Sequence, residues 1–219
     1  MKILLATKNK GKVEEFAELI AKSGIKSPDL QSNNAKTSLS ILSLNDFPEL
    51  PEIEENGQTF AENALIKARA AFAQTKLMTL ADDSGLEVDA LDGAPGIYSA
   101  RYAGEPKDDE RNIQKLLADL QDVPEEARTA SFRCSLAIIM PDGQEHLIEG
   151  TVEGRILKEK KGQGGFGYDP VFYLPELGKT MAELQMEEKN ANSHRARAFR
   201  QAIPFLEKVL TGQNTGEVL

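Results

Sequence analysis

An α/β fold on a mixed sheet is predicted by three features of the chain. Strand-like apolar runs interleave with segments of helical periodicity along the whole length. Residues 128–140 and 145–157 are long extended runs joined at Pro141-Asp142-Gly143, the pattern of an antiparallel hairpin. No stretch is long or simple enough to act as a linker, so residues 1–219 read as a single domain.

The elements follow in order. Residues 2–6 are a short apolar strand, 7–11 a polar turn, and 13–21 a helix with Val13, Phe16, Ala17 and Ile20 on one face. The stretch 27–57 is rich in Ser, Asn, Pro and Glu, with one weak strand signal at 39–44. Thr59 and Glu62 have capping-box spacing and open a second helix, whose apolar stripe is Phe60, Ala64, Leu65, Ala68 and Phe72. Residues 77–81 read as a strand ending abruptly in Asp82-Asp83-Ser84-Gly85, followed by a half-exposed strand alternating through Leu86, Val88 and Ala90. Residues 93–96 are a turn and 108–120 a third helix. After the hairpin come a glycine loop at 162–167, a strand at 171–173 and a last helix from Ser193 to about Leu210. Pro204 should kink or divide that helix, and the tail 212–219 is expected to be flexible.

Composition narrows the function. A formal net charge of -9 argues against broad binding to nucleic acid or anionic membrane, which needs a basic face. No segment approaches the length of a membrane span. The single cysteine, Cys134, cannot form an internal disulfide, so a reducing cytoplasm is the simplest compartment, and Cys134 itself reads as a small buried apolar group. There is no zinc spacing and no Gly-x-Ser-x-Gly elbow.

Four stretches carry chemistry, each with a plain alternative. Thr7 to Lys12, between a strand and a helix N-terminus, reads as an anion site or as an ordinary polar turn; it lacks Walker A spacing. Asp82-Asp83 reads as a metal and water-activating pair or as an acidic turn, and adjacent residues on extended chain point to opposite sides, which gives the two separate jobs. Glu54 and Glu55 add carboxylates or make a solvated turn, and Lys67 reaches a phosphate or is solvated. Residues 164–170 place Phe166 and Tyr168 in a glycine run, for stacking on a base or for plugging the core. Ser193-His194-Arg195 offers donors at a helix start, or a simple cap.

In order along the chain, Thr7-x-Asn9-x-x-Lys12, Glu62-Asn63-Ala64, residues 81–86, residues 93–102, residues 164–170, Glu188-Lys189-Asn190 and Ser193-His194-Arg195 resemble the inosine triphosphate pyrophosphatase (Ham1-like) family. The resemblance runs from Lys2 to about Leu210. It implies an elongated mixed sheet flanked by helices, two lobes with a substrate groove between them, and a homodimer. It implies hydrolysis of noncanonical purine nucleoside triphosphates (those of inosine and xanthosine, and their deoxy forms) to the monophosphate and pyrophosphate, with Mg²⁺ as cofactor. By matching motifs, Thr7, Lys8, Asn9, Lys10, Gly11 and Lys12 bind the triphosphate with Lys67 assisting. Glu55, Asp82 and Asp83 form the metal site, Asp83 is the catalytic base, and Ser84 positions substrate beside it. Phe166, Gly167, Tyr168, Asp169, Lys189, His194 and Arg195 hold the purine. Two rivals are a Maf-like pyrophosphatase of modified pyrimidine or ordinary nucleotides and a nucleotide-binding regulator without catalysis. The Phe166 loop and the Ser193-His194-Arg195 run favour the purine family over the first; the intact Lys12, Lys67, Asp82 and Asp83 disfavour the second.

Overall fold

A computed structural model describes residues 2–23 and 40–211. Strand β1 (Lys2–Leu5) leads into helix α1 (Lys10–Lys22), and β2 (Ser40–Ser43) follows. Helix α2 (Phe60–Thr75), strand β3 (Met78–Val88) and helix α3 (Asp109–Asp119) precede the hairpin β4 (Thr129–Ile139) and β5 (Glu145–Ile156). The short strands β6 (Phe172–Leu174) and β7 (Lys179–Thr180) and the helices α4 (Met186–Asn192) and α5 (His194–Thr211) complete the described residues. Among the described residues seven strands form one mixed sheet in the order β2-β1-β3-β4-β5-β6-β7, parallel across β2, β1 and β3 and antiparallel from β3 onward. The predicted α/β class and the hairpin are both present. The tail 212–219 lies outside the described residues.

Alternation along β3 and β4 buries both sheet faces. Leu80, Cys134, Leu136 and Ile138 pack with Phe16 of α1 and Phe199 of α5, whereas Ala81, Ala137 and Ile139 pack with Ala64, Ala68 and Ala71 of α2. A further cluster around Leu86, Phe132, Val152 and Phe172 is closed by Ile113 and Leu116 of α3. The small residues of α2 let it lie close on the sheet. Gly150 of β5 does the same for α5: a Cβ there would collide with the His194 carbonyl and come within 2.6 Å of the Ala198 nitrogen. Both obstacles are backbone and cannot swing aside. Gly150→Val should therefore cost about 3 kcal/mol of stability; an unchanged urea midpoint would mean α5 can lift without penalty.

Three sequence expectations need correction. The strand expected to end at Asp82 runs unbroken from Met78 to Val88, paired with β4 residue by residue. Buried carboxylates break a strand only when they lack partners, and here cations from α1, α2 and α5 supply them. The alternation after Gly85 holds for Leu86 and Val88, buried under α3 and β6 with Glu87 part-exposed between them, but it stops there: Ala90 is exposed in a single 3-10 turn, Asp89–Leu91. Helix α5 is not divided at Pro204: the proline is on the exposed side, and Ala198, Phe199, Ala202 and Leu206 bury the opposite face on both sides of it.

Candidate active site

The site lies where the sheet has a gap. β1 pairs only with Met78 to Leu80, so β3 continues past the end of β1 with that edge uncovered. Further along, the edge is closed again by a turn at Gly96–Arg101, where the Leu86 amide donates to Ser99 Oγ at 2.9 Å. Gly85 allows this approach, since a Cβ would come within 2.6 Å of the Gly96 carbonyl. Asp82, Asp83 and Ser84 occupy the interval between the two closures. Beside it is a cavity of ≈ 460 Å³, a size suited to a nucleotide.

At the carboxyl end of β1 the chain turns into α1. The Asn9 amide donates to Thr7 Oγ1 at 3.1 Å, and Asn9 Oδ1 caps the helix by accepting from the Lys12 amide at 3.3 Å. Thr7, Lys8, Asn9 and Lys12 line the cavity with the positive end of the helix dipole behind them. Lys10 points to solvent and Gly11 lies behind the wall; its missing Cβ would sit 2.8 Å from the Phe166 ring.

Asp83 and Asp82 face opposite sides of β3. Asp83 lines the cavity, its Oδ1 3.0 Å from Lys67 Nζ, and the same ammonium is 3.0 Å from Glu55 Oε2. The loop carrying Glu55 is held by Asn63, whose Oδ1 accepts from the Gly57 amide at 2.8 Å. Burial pushes the Asp83 carboxyl above its ordinary range, Lys67 and Lys12 pull it down, and Glu55 pushes it up, with the net shift upward. Lys12 is held below its ordinary value, first by burial and then by Lys67 and Arg195, against the pull of Asp82. Crowding of three cations around one cavity favours an anionic occupant. Two carboxylates already sharing one positive charge, beside a place for phosphate oxygens, are a donor set that fits Mg²⁺, which takes one or two protein carboxylates. Asp82 is placed differently. Its side chain is 1% exposed, is absent from the cavity lining, and pairs with Lys12 Nζ at 3.0 Å and Arg195 Nε at 3.2 Å. Among the described residues no group of three or more Asp, Glu, His or Cys side chains is disposed around one metal position.

The remaining wall is aromatic. Phe166 lies over two cations, Lys189 Nζ and Arg195 Cζ each 5.0 Å from its centroid. Its amide donates to Asp169 Oδ2 at 3.1 Å, and that oxygen also meets Lys189 Nζ at 2.8 Å. Gly165, at φ +74°, makes room for the Asp169 carboxylate. The Gly167 amide donates to Asp109 Oδ2 at 2.8 Å, and Tyr168 is buried with its hydroxyl donating to the Ser99 carbonyl at 2.9 Å. Lys189 is thus behind the wall, acting through Asp169, whereas Phe166, Gly167, Tyr168, Asp169, His194 and Arg195 reach the cavity. Four contributors escaped the sequence reading: Glu15, Asp109, Ser99 and Phe132, on which the His194 ring stacks at 4.9 Å. Ser99 falls in the 93–102 motif without a role of its own, and Glu15 left a signal as a carboxylate directly before Phe16 on the buried side of a helix.

His194 is buried, and desolvation, then Arg195, depress its pKa well below 6.5, so the ring is neutral. Stability is complete above the unfolded value near 6.5 and is lost as pH falls toward the depressed folded value, by about 1.4 kcal/mol per pH unit. Denaturation between pH 7.5 and 5.5 should show wild type losing stability faster than His194→Asn; parallel slopes would mean that His194 titrates freely in the fold.

The Ham1 family model matches residues 3–205. A dITP/XTP pyrophosphatase of Desulforamulus reducens is 53% identical over 213 residues, covering 97% of this chain and 99% of that protein. One from Geobacillus kaustophilus is 52% identical over 215 residues, 98% of each. The solved HAM1 protein of Coxiella burnetii superposes with a TM-score of 0.78 at 42% identity, covering 97% of this chain and 99% of that one.

Proposed function

The chain belongs to the Ham1 family, and on that basis we propose that it hydrolyses noncanonical purine nucleoside triphosphates to the monophosphate and pyrophosphate. The observation that carries this reading is that one cavity joins a polyanion cradle (Thr7, Asn9, Lys12 and Lys67) to a pair of carboxylates and an aromatic wall. The relatives named dITP/XTP pyrophosphatases support the same substrate class.

In this reading the amides at the start of α1, with Lys12, hold the triphosphate, and Lys67 shifts part of its charge from the carboxylates to the phosphate oxygens. Glu55 and Asp83 would hold Mg²⁺, which supplies neutralisation of charge on the phosphate oxygens when bound. Asp83 accepts the proton of a water attacking the α-phosphorus in line with the leaving pyrophosphate. Its raised proton affinity suits an acceptor of that kind. Ser84 Oγ donates to Asp82 Oδ2 at 2.9 Å and accepts from Arg195 Nη2 at 2.7 Å, which fixes the orientation of its hydroxyl at the cavity wall.

Base selection follows from hydrogen-bond sense. Hypoxanthine and xanthine carry an oxygen at the six position, which accepts from Arg195. Adenine carries an amino group there and meets donors with a donor. Such mismatches of buried polar groups discriminate by orders of magnitude. The Phe166 ring, backed by Lys189 and Arg195, offers a face for the purine.

The family resemblance also supports a cytoplasmic homodimer, for which light scattering should return twice 24.0 kDa. Among the described residues no helix is long and apolar enough to cross a membrane. The deciding experiment incubates the protein and Mg²⁺ with inosine, xanthosine, guanosine and adenosine triphosphates separately and identifies the released species. Pyrophosphate from the first two, with little from the others, is expected; orthophosphate would move the cut to the terminal phosphate and defeat the mechanism.

A further inference from the structure

We infer that Asp82 is a positioning residue rather than a metal ligand: it ties the phosphate-holding Lys12 to the base-holding Arg195, so that the two ends of the nucleotide are read against one fixed spacing. This inference rests on the proposed function and assigns Asp82 a role within it.

The geometry is specific. Lys12 Nζ and Arg195 Nε meet the same oxygen, Asp82 Oδ2, at 3.0 and 3.2 Å, and Ser84 Oγ donates to that oxygen at 2.9 Å. Lys12 Nζ also lies 3.5 Å from the Asp82 carbonyl. That carbonyl is two residues beyond Leu80, whose own carbonyl accepts from the Ala6 amide, so the Lys12 ammonium takes the place that a continued β1 would fill. On its far side Arg195 pairs through Nη1 with Glu15 Oε2 at 3.0 Å. Glu15 Oε1 is 2.6 Å from Lys189 Nζ, oriented as an ion pair rather than a hydrogen bond, and Lys189 reaches Asp169. Charges therefore alternate without a break from Lys12 through Asp82, Arg195, Glu15 and Lys189 to Asp169, which holds the Phe166 amide. Lys12 and Arg195 are separated by a single oxygen, and their mutual repulsion would drive them apart without it. A metal ligand at this position would face the cavity, and Asp82 does not.

The two roles predict opposite signs in the absence of metal. Removing a negative charge near a polyanion strengthens its binding by Coulomb attraction alone, whereas losing the tie between Lys12 and Arg195 weakens it. The experiment measures inosine and adenosine triphosphate binding to wild type and Asp82→Asn in EDTA by calorimetry, then the Mg²⁺ concentration for half-maximal pyrophosphate release. The expected result is an inosine triphosphate Kd raised tenfold or more without metal, a preference over adenosine triphosphate reduced at least tenfold, and an Mg²⁺ midpoint within twofold of wild type. Metal-free binding that is unchanged or tighter, with the Mg²⁺ midpoint raised tenfold, would overturn the inference. If Asp82→Asn does not fold, Asp82→Glu keeps the charge and displaces the oxygen. It should lose base preference at an unchanged Mg²⁺ midpoint, and the reverse pattern would equally overturn the inference. Failure of wild type to release pyrophosphate from inosine triphosphate is a separate result, and it rejects the proposed function itself.

Discussion

Asp83→Asn should lower kcat for inosine triphosphate by about 10³-fold, within the range seen for loss of a general base, while KM moves only a few-fold. The amide keeps the shape of the side chain and its place beside Lys67, so the cradle around Lys12 is undisturbed. What disappears is the acceptor for the water proton, equivalent to about 4 kcal/mol of barrier. A second readout separates this from general damage. The folded carboxyl is raised above its unfolded value, chiefly by burial, so above that folded value the ionised group counts against folding. Asp83→Asn should then be at least as stable as wild type at pH 7 by urea denaturation. A variant that is inactive and less stable would argue for a structural role, and one that turns over normally would remove Asp83 from the chemistry.

Arg195→Met should produce the largest loss of stability at the site, about 3 kcal/mol, typical of a buried ion pair that loses one partner. Glu15 and Asp82 would remain inside the protein with only Lys189 and Lys12 to balance them. Both carboxyls are now held below their ordinary range. Burial opposes this, and Arg195 and Lys189 for Glu15, or Lys12 and Arg195 for Asp82, outweigh it. Without Arg195 their proton affinities rise, so the stability gap between wild type and variant should narrow as pH falls from 7 to 5. A gap that stays constant with pH would assign the loss to packing against Phe166 rather than to stranded charge.

Much of this was legible in the sequence because it is local. Strand alternation, the Thr59 cap, the hairpin turn and the Asn9 turn ahead of α1 each depend on residues a few positions apart. The continuity of β3 was not legible. Two adjacent carboxylates look like a strand terminus until Lys12, Lys67 and Arg195 arrive from 70, 16 and 113 residues away in sequence. An extended chain already puts Asp82 and Asp83 on opposite sides, but which of them faces the cavity is decided only by the fold. Helix α4 escaped notice because its seven residues are too few for a periodic stripe, and its cap is the reciprocal pair Gln185 and Glu188 rather than a Ser or Thr. Pro204 looked disruptive because sequence does not say which side of a helix faces water.

The long pairing of β3 with β4 also acts as a reading frame. Ten consecutive residues of β3, from Thr79 to Val88, are matched to partners on β4. A slip of one position would send every side chain of β3 to the opposite face. Asp83 would then meet Lys12 and Arg195, Asp82 would meet Lys67 and Glu55, and the apolar residues of both clusters would exchange places as well. A single inserted or deleted residue within β3 is thus far more damaging than any substitution there, because it scrambles core and chemistry together. The strand's length keeps two neighbouring, chemically identical side chains from being mistaken for one another.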